Sequence, residues 1–257
     1  MNTVNGWIDS NIEGVTLYQT AGGTPSVSNE KFYNGNIPFV IIEDITKSFK
    51  FLDLTVKFLS ETGIKNSAAW EVGEGHILYS MYATVGKPII NRIKCATNQA
   101  IIALKPDNNI DIDFLYYSLV FIEPDVYKYT AQTTQANLNA GVVRKLPIRY
   151  PQNIQEQQKI ATILTSIDTA IEKTEALIHK YQQIKAGLMH DLFTRGVTAD
   201  GKLRPPREQA PELYQETPIG WVPREWGVED IQYLLAPIGN NLRSGPFGSA
   251  LLKSELV

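Results

Sequence analysis

Hydrophobic positions along the chain fall into two regimes. Up to about residue 150 they come as short β-rich runs: Ile37–Ile42, His76–Tyr79, Lys87–Ile93 and Gln99–Leu104. Turn-forming clusters separate them, among them Gly22-Gly23-Thr24-Pro25, Tyr33-Asn34-Gly35-Asn36 and Pro106-Asp107-Asn108-Asn109. One stretch, Asp113–Phe121, gathers Phe114, Leu115, Tyr117 and Leu119 and predicts a helix that Pro124 stops. Residues 1–150 therefore read as a mixed, β-rich domain.

From residue 151 the period changes. Asn153 is a good N-cap, with Glu156 three residues on in a capping-box spacing. Ile160, Ile167, Thr174, Tyr181 and Leu188 then occupy one heptad position, and Ile163, Ala170, Leu177 and Ile184 the other. Leu164, Ile171 and Ile178 add a third column. Arg195 and Gly196 supply a cationic last turn and a C′ glycine. The pattern predicts a helix over 151–196 of ~40 residues and ~60 Å. Gly187 inside it costs about 1 kcal/mol relative to Ala. A stripe sustained over four heptads on so long a helix points to a partner helix, within the chain or from a second chain. The fold class is α+β: a β-rich domain followed by a long coiled-coil helix.

Residues 197–222 read as a linker, with a turn at Thr198–Lys202 and the extended segment Arg204-Pro205-Pro206-Arg207. Gly220-Trp221 then opens a segment, 223–257, that loosely echoes Gly6-Trp7 near the start. A Gly/Pro/Ser turn follows each pair, so this segment reads as the start of a truncated second repeat.

Composition narrows the function classes. The chain has 257 residues, 43% hydrophobic and 20% charged, with a net charge of -3. It is not a globally cationic nucleic-acid coat, although a local basic groove stays open. Cys95 is the single cysteine, so neither an intrachain disulfide nor a cysteine cluster for a metal is available. The apolar runs fall short of the ~18 residues of a membrane-spanning helix, and Met1–Gly6 lacks the features of a signal peptide. A cytoplasmic protein without membrane association is expected.

Enzyme signatures are missing. Gly86-Lys87 is followed by Pro88 and Gly201-Lys202 by Leu203, so neither completes a phosphate-binding loop. Gly73-Glu74-Gly75 does not extend to a dinucleotide fingerprint. His76, His179 and His190 have no metal-ligand spacing; the first reads as a strand-edge residue and the other two as solvated helix positions. No amino-methyltransferase tetrapeptide is present. No cofactor and no metal are expected.

The residues nonetheless carry a resemblance. Gln152-Asn153-Ile154-Gln155-Glu156-Gln157-Gln158-Lys159-Ile160-Ala161, and later Ile184-Lys185-Ala186-Gly187-Leu188-Met189-His190-Asp191-Leu192-Phe193, are similar to the long helix of type I restriction-modification specificity (S) subunits. Gly22–Ser26, Gly35–Val40, Ala83–Lys87, Thr97–Ala100 and Gln135–Asn139 resemble that family's signposts in the preceding domain. The resemblance implies one target-recognition domain and one conserved helix, half of the family's usual two-domain pattern. It also implies a chain without chemistry of its own. Such a chain reads double-stranded DNA for a methyltransferase (M) subunit, which uses S-adenosylmethionine, and for a restriction (R) subunit.

Within that frame the forked amides of Gln132, Gln135 and Asn137 are candidates to read base edges. Ser80, Tyr82, Thr84 and Lys87 around Gly86 are candidates for backbone and charge contacts to phosphate, as are Gly23 and Thr24. Lys47 and Lys65, in a segment that also holds Lys50 and Lys57, space basic charge. Each has a plainer alternative: a solvated loop, a tight strand connection, a simple turn, or solvating lysines. Ile160, Ile163, Ile167, Ile171, Leu177, Tyr181, Ile184 and Leu188 are the expected dimer interface. Two copies joined by antiparallel helices would read two half-sites across an unread spacer. The alternatives are a coiled-coil adaptor whose head binds protein, and an enzyme with a divergent nuclease or methyltransferase site.

Overall fold

The structure, a computed structural model, describes residues 3–4, 6–129 and 138–234. The chain divides into two compact units, 1–171 and 172–257.

The first unit is built on three sheets. A five-stranded sheet has the order β3 (Thr16–Ala21), β11 (Ile101–Pro106), β8 (Ile77–Ser80), β9 (Pro88–Asn91), β5 (Phe51–Leu52). A four-stranded sheet runs β6 (Lys57–Leu59), β4 (Ile37–Val40), β10 (Cys95–Thr97), β7 (Glu71–Val72). A three-stranded sheet joins β1 (Thr3–Val4), β2 (Trp7–Asn11) and β12 (Pro147–Pro151). The expected β-rich runs all hold strands, although Ile37–Ile42 ends as one at Val40 and turns into a short helix.

The central strands are buried on both faces, which is why β8, β9 and the first four residues of β11 read as continuous apolar runs. Ile102 and Leu104 of β11 face one core, with Ile77, Tyr79, Phe114 and Leu115. Ile101 and Ala103 face the other, with Val40, Ile45, Leu78 and Ile89. Cys95 sits in the second core, and burial pushes its thiol up to about 12, so it stays protonated and inert.

Among its described residues this unit also holds four short or medium helices: α1 (Ile42–Lys47), α2 (Glu61–Lys65), α3 (Ile112–Ile122) and α4 (Ala140–Lys145). The helix expected at Asp113–Phe121 is α3, and its N-cap is Asp111, which accepts from the Phe114 N–H at 3.0 Å. Pro124 does not stop the helical path; a 3₁₀ segment continues from Glu123 to Tyr129. Three to four residues per turn suit a proline in the first turn, where its missing N–H costs nothing. The other three short helices have no long periodic stripe to announce them.

The long helix α5 spans Ile154–Thr194, 41 residues. Asn153 caps it, accepting from the Gln155 N–H at 2.8 Å. At the other end Gly196 adopts φ +63° and its N–H reaches the Leu192 carbonyl at 3.1 Å, a left-handed C-terminal cap. No helix among the described residues is long and apolar enough to cross a membrane.

In the second unit the stretch from Val197 to Pro223 is folded. Val197 bridges Leu203, and β13 (Tyr214–Thr217) pairs with β14 (Gly220–Pro223) in a hairpin. Arg204, Ala210, Tyr214 and Val222 are buried there.

Candidate nucleic-acid interface

Strand register delivers several loops to one end of the five-stranded sheet. Ile102 at the start of β11 pairs with Ala21 at the end of β3, and Ile101 pairs with Ser80 at the end of β8. Loops 22–26, 81–87 and 98–100 therefore emerge together. They are tied: the Thr24 hydroxyl donates to Gln99 Oε1, and the Met81 N–H donates to the Ala100 carbonyl at 2.8 Å.

Loop 81–87 is tightly wound. Ala83 (φ +59°) and Gly86 (φ +89°) both take left-handed conformations, and a Cβ on Gly86 would come within 2.9 Å of Val126. Ser80 is fully buried and its hydroxyl serves the carbonyls of Thr84 and Lys87. It holds the loop shape and is closed to an outside ligand. Tyr82 is exposed. The Thr84 hydroxyl pairs with that of Thr46 at 2.7 Å, and Lys87 Nζ donates to the Thr46 carbonyl at 2.9 Å. Thr46 thus ties loop 81–87 to α1, the helix that also carries Lys47. Lys47 itself is paired with Glu43 at 2.6 Å. Partial burial lowers the Lys87 pKa, while the Glu123 carboxylate pulls it back; Glu123 is raised by burial and lowered by Lys87.

The glycine turn behaves differently. Gly22 and Gly23 donate their N–H groups to the carbonyls of Ile101 and Thr97. A Cβ on Gly23 would meet the Ala68 backbone at 2.5 Å. These glycines allow two backbones to touch, so their N–H groups are spent inside the fold and Thr24 is left as the outward group. Lys65 lies on α2, three residues before Ala68, and faces Glu61 at 3.6 Å on an exposed surface. Gln132, Gln135 and Asn137 lie outside the described residues. On either side of that segment, Val126 packs on Gly86 and the Leu138 N–H bonds the Met81 carbonyl at 2.9 Å.

Two residues of this surface escaped the sequence reading. Gln99 is an exposed forked amide in the same loop cluster. Thr46 joins α1 to loop 81–87. Only the Thr97–Ala100 signpost hinted at the first; nothing local marked the second.

Lys50 was grouped with the surface lysines, and the structure corrects this. Its side chain is 4% exposed, with Nζ 2.8 Å from Asp113 Oδ1 and 2.9 Å from Thr165 Oγ1. It also lies 4.5 Å from the Tyr117 ring centroid. Tyr117 in turn donates its hydroxyl to Asp168 Oδ2 at 2.6 Å. Burial, and then this bond to a carboxylate, push the Tyr117 phenol far up, so it remains a donor. His76, expected at a strand edge, is 3% exposed and its Nε2 meets the Tyr18 hydroxyl at 2.5 Å. Among the described residues no cluster of His, Cys, Asp or Glu is arranged to hold a metal.

On α5, Ile160 and Ala161 pack against the first unit's core. Ile160 thus serves the head it follows, where the sequence suggested a dimer contact. Ile163, Ile167, Ile171, Leu177, Tyr181, Ile184 and Leu188 are 43–62% exposed. A contiguous apolar stripe of this kind is more than the scattered exposed residues of an ordinary surface.

Residues 5–183 match the family of the type I restriction modification DNA specificity domain. The chain belongs to this family. The type I restriction enzyme MjaIX specificity subunit of Methanocaldococcus jannaschii is 25% identical over 219 residues, 81% of this chain and 48% of that protein. The HindI specificity subunit of Haemophilus influenzae is 33% identical over 135 residues, 51% of this chain and 29% of that one. This specificity-family chain spans about half the length, or less, of the curated relatives it matches. Its fold is also that of the HsdS subunit from Thermoanaerobacter tengcongensis, with a TM-score of 0.52 at 20% identity over 67% of this chain and 40% of that one. A specificity subunit from M. genitalium gives 0.51 at 16% identity, covering 75% of this chain and 48% of the other.

Proposed function

We propose that this specificity-family chain reads one half of a bipartite DNA target and breaks no bond itself. The loop end of the five-stranded sheet is the reading surface. Thr24 and Gln99 offer side-chain donors and acceptors to base edges, and Lys47 and Lys87 offer charge to phosphate. Tyr82 and Thr84 complete the surface; Lys65 and the amides of Gln132, Gln135 and Asn137 are further proposed DNA contacts.

The observation that carries the reading is the exposed stripe from Ile163 to Leu188 directly after such a head. In water it needs a cover, and its heptad spacing fits a second α5. Antiparallel pairing through a two-fold contact gives a homodimer with one head at each end. A homodimer reads an inverted repeat; pairing with a different half-length chain reads an asymmetric target. A methyltransferase subunit then modifies adenine and a restriction subunit cuts, both held by this scaffold in the cytoplasm.

Methylome sequencing of cells that express this chain with its methyltransferase subunit tests the proposal. The expected result is one new methylated motif made of two short half-sites and a fixed spacer. A continuous motif, or no new motif, would overturn it.

A further inference from the structure

Two locks hold the start of α5 to the head, both inside the first unit. The lower lock is Gln157, fully buried. Its Oε1 accepts from the Asp111 N–H at 2.8 Å, and its Nε2 donates to the carbonyls of Asn109 (3.0 Å) and Pro151 (2.9 Å). The upper lock lies two to three turns on. Lys50 is anchored by its own carbonyl, which accepts from the Ile90 N–H at 2.8 Å. From there its ammonium reaches Thr165 on α5 and Asp113 on α3. Tyr117 of α3 bonds both Thr165, at 3.1 Å, and Asp168, at 2.6 Å.

One lock makes a pivot; two make a direction. We propose that the upper lock of Lys50, Tyr117, Thr165 and Asp168 is a positioning device that fixes the direction in which α5 leaves the head, and so determines the spacer length the protein accepts. This inference rests on the bipartite reading above. A buried ammonium held by a carboxylate, two hydroxyls and an aromatic face tolerates little displacement, because any shift strands a charge away from its partners. Leverage makes that stiffness matter. From Asp168 to Thr194 a straight helix continues for ~39 Å, so a tilt of about 5° at the lock moves its far end by ~3.4 Å, one base-pair step.

The test uses the full chain carrying Tyr117→Phe, which keeps the ring over Lys50 and removes the hydroxyl, and in parallel Asp168→Asn. The first readout is the distance distribution between spin labels on Leu54→Cys and Lys180→Cys, both exposed, with Cys95 buried and unlabelled. The distribution should broaden in both variants; an unchanged width overturns the lock. The second readout is methylation, with the methyltransferase subunit, of DNA whose spacers step one base pair at a time. The parent should prefer one spacer, and the variants should lose about tenfold of that preference, the factor set by about 1.4 kcal/mol. Half-site sequences should stay the same. Variants that keep the parent's sharp preference overturn the role in spacing. A parent with no two-part target overturns the bipartite reading, and the spacing role falls with it, while the label distances still judge the lock.

Discussion

Arg204 and Arg195 hold each other's backbone. The Arg204 guanidinium donates to the Arg195 carbonyl at 2.9 Å, and Arg195 Nε donates to the Arg204 carbonyl at 2.8 Å. Arg204 also reaches the Val197 carbonyl and Glu225. A helix C-terminus leaves carbonyls without intrahelical partners, and here a nearly buried cation takes up the chain just beyond it.

Arg204→Met should therefore cost about 2–3 kcal/mol, the worth of charged hydrogen bonds lost from a buried site. Hydrogen exchange checks it. Amides of the last turn, Leu192 to Gly196, should exchange faster while those of the first unit do not change. Equal protection in both proteins would show that the cap is idle.

Gly196 is left-handed, and a Cβ there would lie 2.6 Å from the Trp226 ring. Gly196→Ala should lose about 1–2 kcal/mol from backbone conformation alone, with a further loss from the ring contact. In a Trp226→Ala background only the backbone part should remain, so the two changes are non-additive. Additive melting shifts would mean that the ring does not pack there.

Replacing Ile167 and Leu177 together with Asp puts charge in the middle of the exposed stripe. Light scattering should give the parent the mass of the proposed dimer and the double variant the mass of a monomer. Identical masses would remove the helix from the interface.

Gln99→Ala should relax discrimination at one base pair by about 1–3 kcal/mol. Lys47→Ala should instead weaken binding evenly across sequences and reduce the salt slope by about one counterion. Competition binding to single-substituted targets, in complex with the methyltransferase subunit, separates the two. A Gln99 variant with an unaltered motif would take that loop out of base reading.

Burial, and then the Lys105 ammonium, hold the His76 imidazole below its ordinary range, against the pull of the Glu74 and Gly73 carbonyls. The folded state thus binds this proton less readily than the unfolded chain, so stability rises with pH across the window. The contribution is present above the unfolded value of ~6.5 and is lost as pH falls through it toward the lower folded value. Urea titrations across that window should show the decline, and His76→Asn should flatten it. A variant with the parent's slope would place the titrating group elsewhere.

Local sequence determined the parts that local physics controls. Asn153 and Gly196 mark the ends of α5 because capping involves only neighbouring residues, and the heptad from Ile160 to Leu188 declares its apolar face. Runs of Ile and Val between glycine-rich turns declare the buried strands. Tertiary structure alone decided the rest. Lys50 looks like any surface lysine until α3 and α5 close over it, 63 and 115 residues away in sequence. Gly23 looks like a free turn until the Ala68 backbone lies against it. Gathering Thr24, Gln99 and Thr84 at one end of the sheet depends on the order β3-β11-β8-β9-β5. Pairings between distant strands set that order, and they leave no period in the chain to read.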